Sequence, residues 1–145
     1  MSAGDIAREF LSALWDGERP DDETLSRALD RLLFQSHQIS YDGGTNDDLD
    51  PPSIDGPALY RAVAVRFPDY GMYPACDPLD SIEDGSMLED AIDDLADITR
   101  DLREVIWADE NLGSGDAAFY LRLHFGHWGR HARHLSSYLH ARQYG

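Results

Sequence analysis

His127 and His131 stand four residues apart on one stretch of predicted helix, a spacing that lets two imidazoles share a single ion. A carboxylate from the preceding predicted helix, Asp93 or Asp97, would complete the set in the manner of metal sites inside helical bundles. Two imidazoles, one carboxylate and an open position polarise a bound water, which is the chemistry of a metal-dependent hydrolase. No glutamate lies between the two histidines as it does in a metalloprotease helix. The competing reading makes them half-buried histidines whose polar tips need only a tyrosine or aspartate partner. The candidate cluster comprises Asp93, Asp97, Arg100, His127, Trp128 and His131, with Asp93, Asp97, His127 and His131 as the metal-ligating subset. No catalytic role is assigned, and no cofactor is called for other than a divalent metal.

These residues sit on the two most regular segments of the chain. In the first, Leu88, Ile92, Leu95, Ile98 or Thr99, Leu102 and Val105 recur at three- and four-residue steps, the seam of a helix packed along a neighbour. Ser86 and Glu89 have the spacing of a capping box and predict its start. Asp94, Asp97 and Asp101 fall beside the seam and are expected to face outward, toward Arg130 and Arg133 of the partner helix. The second segment repeats the seam in Leu121, Phe125, Trp128, Ala132, Leu135 and Leu139. On a helical wheel its histidines, with Tyr120 and Tyr138 interleaved, flank one edge of that seam. The short connection between the two predicts an antiparallel hairpin. Gly126 and Gly129 interrupt the second helix, where each costs about 1 kcal/mol relative to alanine, and call for either a kink or a close approach.

Three earlier helices are expected. Ser2 caps one carrying Ile6, Phe10 and Leu14; a second follows Pro20 and carries Leu25, Leu29 and Leu32; a short third starts near Pro57. Residues 40–56 and 67–85 read as long loops rich in Gly, Asp and Pro. The expected fold is all-α, a single domain over 1–145 with about five helices in a small bundle.

Charge bounds the function classes. The net charge is −16, and all twelve basic residues are arginine, so lysine chemistry is excluded. Residues 1–116 hold all 28 acids and eight arginines, a net −20, whereas residues 117–145 hold four arginines and no acid. An acidic body repels nucleic-acid phosphate and suits a basic protein partner. The single Cys76 forms no intramolecular bridge. No apolar run reaches the length of a bilayer, and no secretory pattern opens the chain, so a cytoplasmic location without membrane contact is expected.

The segments Asp77-Pro78, Asp93-Asp94-Leu95-Ala96-Asp97-Ile98, Arg100-Asp101-Leu102 and His127-Trp128-Gly129-Arg130-His131 resemble the hallmarks of the bacterial domain-of-unknown-function 5063 family, over residues 67–142. Thr99 and Cys76 depart from the tyrosine and phenylalanine usual there. The resemblance implies a compact helical domain in which the acidic and histidine-containing segments belong to one module, and it implies no activity. The function expected from the sequence is therefore an interaction or regulatory module, monomeric or homodimeric. A metal-dependent, hydrolase-like enzyme is the alternative, and an acidic mimic of nucleic acid the second.

Overall fold

The computed structural model describes residues 1–40 and 49–145. The expected loop at 40–56 lies partly outside them. Six α-helices and a two-stranded ribbon follow in the order α1 (Ala3–Trp15), α2 (Asp22–Ser36), α3 (Gly56–Arg66), β1 (Met72–Ala75), β2 (Met87–Asp90), α4 (Ala91–Asn111), α5 (Ser114–Leu123) and α6 (Arg130–Tyr144). The all-α expectation holds, with one helix more than foreseen.

Each of the first three helices starts where a side chain accepts from its free amides. Ser2 and Asp5 form a reciprocal capping box on α1, Asp21 caps α2 through the Thr24 amide, and Asp55 caps α3 just before Pro57. Helix α4 lies centrally, against α1, α3, α5 and α6, while α2 packs on α1 and α6. Leu95, Ile98, Leu102 and Val105 of α4 meet Phe10 and Leu14 of α1 and Leu121, Trp128, Leu135 and Leu139 of the closing segment in one continuous core. Burying such side chains contributes about 1.5–3 kcal/mol each, and this seam is what fixes the register of α4 against α6.

The sequence misplaces the start of α4. Residues 87–90 are a strand paired antiparallel with 72–75, in the register Tyr73 opposite Glu89 and Ala75 opposite Met87. Asp90, not Ser86, caps α4 through the Ile92 amide, and Leu88 is exposed on the ribbon instead of buried in the seam. The ribbon stays attached to the bundle because the Ala91 amide donates to the Gly71 carbonyl and the Gly71 amide to the Tyr138 hydroxyl. Arg142 of α6 ties down the same corner, pairing with Asp22 and Asp69 while lying over the rings of Tyr70 and Tyr138.

The closing segment also differs from the single helix expected. A π-helical turn over Phe125–Gly129 separates α5 from α6. Both glycines belong to it, but for different reasons. A Cβ on Gly129 would lie 2.6 Å from the Phe125 ring, whereas one on Gly126 would meet nothing within 4 Å. The Phe125 ring, packed at 5.0 Å from that of Trp128, therefore occupies the place of a side chain at 129. Gly129→Ala is expected to cost about 1–3 kcal/mol of stability as that ring is pushed aside. Gly126→Ala should be neutral or stabilising by up to about 1 kcal/mol. Urea denaturation midpoints of the two variants measure the difference, and equal midpoints would refute the close-approach explanation.

Candidate functional site

The antiparallel course of α4 and the closing segment brings carboxylates and histidines opposite one another along the edge of the core. Glu104 faces His124, Asp101 faces His127, Asp97 and Asp94 face His131, and Glu89 faces His134. Three or four residues separate successive members on each helix except across β2 and α4, so the pairs stack as rungs. The charge contrast between the two halves of the sequence is thus resolved by histidine. Arg130 and Arg133, expected to meet the α4 aspartates, are exposed instead and make no ion pair among the described residues.

The central rungs are the most closely paired. His131 is buried, with Nδ1 2.6 Å from Asp94 Oδ1 and Nε2 3.0 Å from Asp97 Oδ2. His127 stands beside it, the rings 4.8 Å apart and nearly perpendicular. Its Nδ1 lies 2.7 Å from Asp101 Oδ2 and its Nε2 3.5 Å from the same Asp97 Oδ2 that His131 approaches. Arg100 flanks the outer oxygens of Asp97 and Asp101, at 3.6 and 3.8 Å. Tyr73, reaching in from β1, donates its hydroxyl to the second oxygen of Asp94.

Electrostatics follow from this geometry. Burial alone would lower the pKa of His131, but hydrogen bonds to Asp94 and Asp97 outweigh it and raise it to about 9. Burial raises Asp97 as well, yet the two histidines and Arg100 leave it below the usual carboxylate range. For Asp94 burial wins over its bonds to His131 and Tyr73, and its pKa is raised. Asp93, half-buried one turn before Asp97, is likewise held above its ordinary value by burial and by the Asp97 charge. At neutral pH, His131 is therefore held as an imidazolium between two aspartates.

The structure sorts the sequence-derived candidates. Asp97, His127 and His131 converge, one donor atom of each lying within 4.8 Å of the others. Asp93 stands outside that set, which decides between the two aspartates left open by the sequence. Trp128 is not at the site: it is fully buried in the core, and its indole donates to the Leu121 carbonyl. The outward orientation expected for Asp94 and Asp101 is overturned, since both are buried. Glu89, Tyr73 and Glu104 were missed as members. The missed signal is the matching of acids on one helix to histidines on the other at the same three- and four-residue steps. Thr99 has its own local reason, accepting the indole N–H of Trp15 inside the core.

A groove of about 550 Å³ opens beside this ladder, between the ribbon and α6, lined by Tyr73, Pro74, Cys76, His134, Ser137 and Tyr138. The outer face and tip of the ribbon carry Met72, Leu79, Ile82 and Leu88, and Leu79 and Ile82 are 95% and 98% exposed. Among the described residues no helix is long and apolar enough to cross a membrane.

No family model matches the chain. No curated protein matches it either. Among solved structures it is similar to protein BF1032 from Bacteroides fragilis, determined by the Northeast Structural Genomics Consortium. The two share 19% identity with a TM-score of 0.73, over 99% of this chain and 91% of that one. This likeness shows a shared helical fold.

Proposed function

We propose that the protein is an interaction module that receives a basic, partly apolar segment of another protein in the groove between the ribbon and α6. Two neighbouring observations carry this reading: the open groove, and a concentration of exposed apolar side chains on the outer face and tip of the ribbon that forms one of its walls. Five of the twelve large apolar side chains exposed among the described residues, Met72, Leu79, Ile82, Met87 and Leu88, fall within this short ribbon and its connection. Scattered exposed apolar residues need no explanation, but a concentration of them marks a contact surface. The charge of the occupant follows from the same stretch. The connection between the two strands, residues 76–86, carries four acids, Asp77, Asp80, Glu83 and Asp84, and no basic residue. Such a surface attracts a basic partner and repels nucleic acid.

We also propose, on the resemblance of its motifs, that the chain is a divergent relative of the domain-of-unknown-function 5063 family. The segments at 93–102 and 127–131 that carry most of that resemblance also supply the central rungs of the ladder.

The reading is tested with three baits exposed in parallel to extract of the source cell. Ser137→Trp fills the groove, and Val65→Asp removes an exposed apolar side chain on α3, away from it. A basic protein should be retained by wild type and by Val65→Asp and lost from Ser137→Trp. Raising the salt from about 0.1 to about 0.5 M should release it, since the attraction is screened. Retention of the same proteins by all three baits would contradict the groove assignment.

A further inference from the structure

We propose that Asp97, His127 and His131 form a binding site for one divalent transition-metal ion, distinct from the groove and independent of what the groove receives. The donor atoms already have the required separation. Metal–donor bonds of roughly 2.0–2.1 Å at tetrahedral angles place neighbouring ligand atoms about 3.3 Å apart. Here Asp97 Oδ2 lies 3.0 Å from His131 Nε2 and 3.5 Å from His127 Nε2. Both carboxylate–imidazole separations thus lie within a few tenths of an ångström of that value, and one donor atom of each of the three residues lies within 4.8 Å of the others.

The groups behind the ligands argue more strongly than the ligands themselves. A histidine that binds metal through Nε2 must carry its proton on Nδ1, and a buried carboxylate usually holds that proton in place. Both rings have this arrangement: Asp101 receives His127 Nδ1, and Asp94 receives His131 Nδ1. Asp94 is itself oriented by Tyr73, and the outer oxygen of Asp97 faces Arg100. Two imidazoles therefore point their Nε2 atoms at one carboxylate oxygen, with each ring angle fixed from behind. Salt bridging alone does not ask for this. A clasped His131 needs only Asp94 and Asp97, and an His127 serving that purpose would have no reason to turn its second nitrogen to the same oxygen.

A second trio, Glu89, Asp94 and His131, also lies within 4.8 Å. It shares His131, its Asp94 is fully enclosed and bonded to Tyr73, and it contains one imidazole only. The first trio has the more suitable donors and reaches solvent, for the His127 side chain is 37% exposed. Two nitrogens and one oxygen suit zinc, cobalt or iron(II), and do not suit magnesium or calcium, which take oxygen ligands. Three protein ligands also leave a coordination position for water or for a donor from another molecule.

The test uses the full chain, purified without an affinity tag, stripped with chelator and titrated calorimetrically with Zn²⁺, with Co²⁺ absorption as a second readout. One ion per chain is expected, with a cobalt visible band of the four- or five-coordinate type, and no response to Mg²⁺. His127→Ala, at a partly exposed position, should weaken binding by more than about 100-fold, since loss of a carboxylate behind a ligand alone costs about 10–100-fold. Asp101→Asn should fall within that smaller range. His140→Ala, an exposed histidine outside the site, should bind as wild type does. Absence of stoichiometric binding, or unchanged binding in His127→Ala, would overturn the proposal.

Discussion

Replacing Asp94 by alanine is expected to cost about 3–5 kcal/mol of stability, the usual result of removing one partner of a buried charged pair. Asp94 is fully buried and accepts from two groups, the Tyr73 hydroxyl and His131 Nδ1. Alanine leaves the hydroxyl without an acceptor and an imidazolium with one aspartate in place of two. It also cuts the link between the ribbon and α4, because Tyr73 is the β1 side chain anchored there. For a chain of this length 1 kcal/mol corresponds to roughly 3 °C, so the melting temperature should fall by about 10 °C. Asp94→Asn keeps the shape and one acceptor and should lose less, about 1–3 kcal/mol. Differential scanning calorimetry of the two variants decides the matter. A fall of less than about 2 °C in Asp94→Ala would mean that the central rung contributes little to folding.

The second large effect is on pH dependence. His131 has its pKa raised to about 9, against about 6.5 when unfolded. The folded state therefore binds this proton more tightly. The stabilisation is fully present below about pH 6.5 and is lost as pH rises through about 9. The difference amounts to about 3 kcal/mol, and the groups that set it are Asp94 and Asp97 on α4, with His127 on the π turn and Glu89 on β2 nearby. Asp97, held below its usual range, contributes in the opposite sense and loses its share as pH falls through its folded value. Urea midpoints of the metal-free protein between pH 6 and 9.5 should fall steadily, and His131→Gln should flatten that slope. A wild-type midpoint that stays level over this range would contradict the clasped imidazolium.

Periodicity carried most of the fold. The seams of α4 and of the closing segment were readable because large apolar residues recur at helical steps on both, and the short turn between them leaves only the antiparallel solution. That His127 and His131 share one edge of that seam was readable for the same reason, whereas the choice between Asp93 and Asp97 as the carboxylate they meet was not. What misled was the rule that charged residues face water. Asp94 and Asp101 adjoin Leu95 and Leu102, and only partners distant in sequence, Tyr73, His127 and His131, make their burial tolerable. The ribbon was hidden by its shortness: four residues do not establish a two-residue period, and Ser86 with Glu89 imitated a capping box. Glu89 instead lies on β2 opposite Tyr73, which turns it toward His134. The π turn was signalled by Gly126 and Gly129 as an irregularity, but its form depends on where the Phe125 ring packs.

In the proposed site the histidine Nε2 atoms converge on Asp97 to hold an ion. Crystals grown with Zn²⁺ and measured on both sides of the zinc absorption edge test it directly. A single strong anomalous peak is predicted between Asp97, His127 and His131, about 2.0–2.1 Å from both Nε2 atoms and from a carboxylate oxygen, with Nδ1 still on Asp101 and Asp94. A well-ordered seam with no peak there, and His131 still clasped by Asp94 and Asp97, would contradict it and leave the ladder as an element of folding alone.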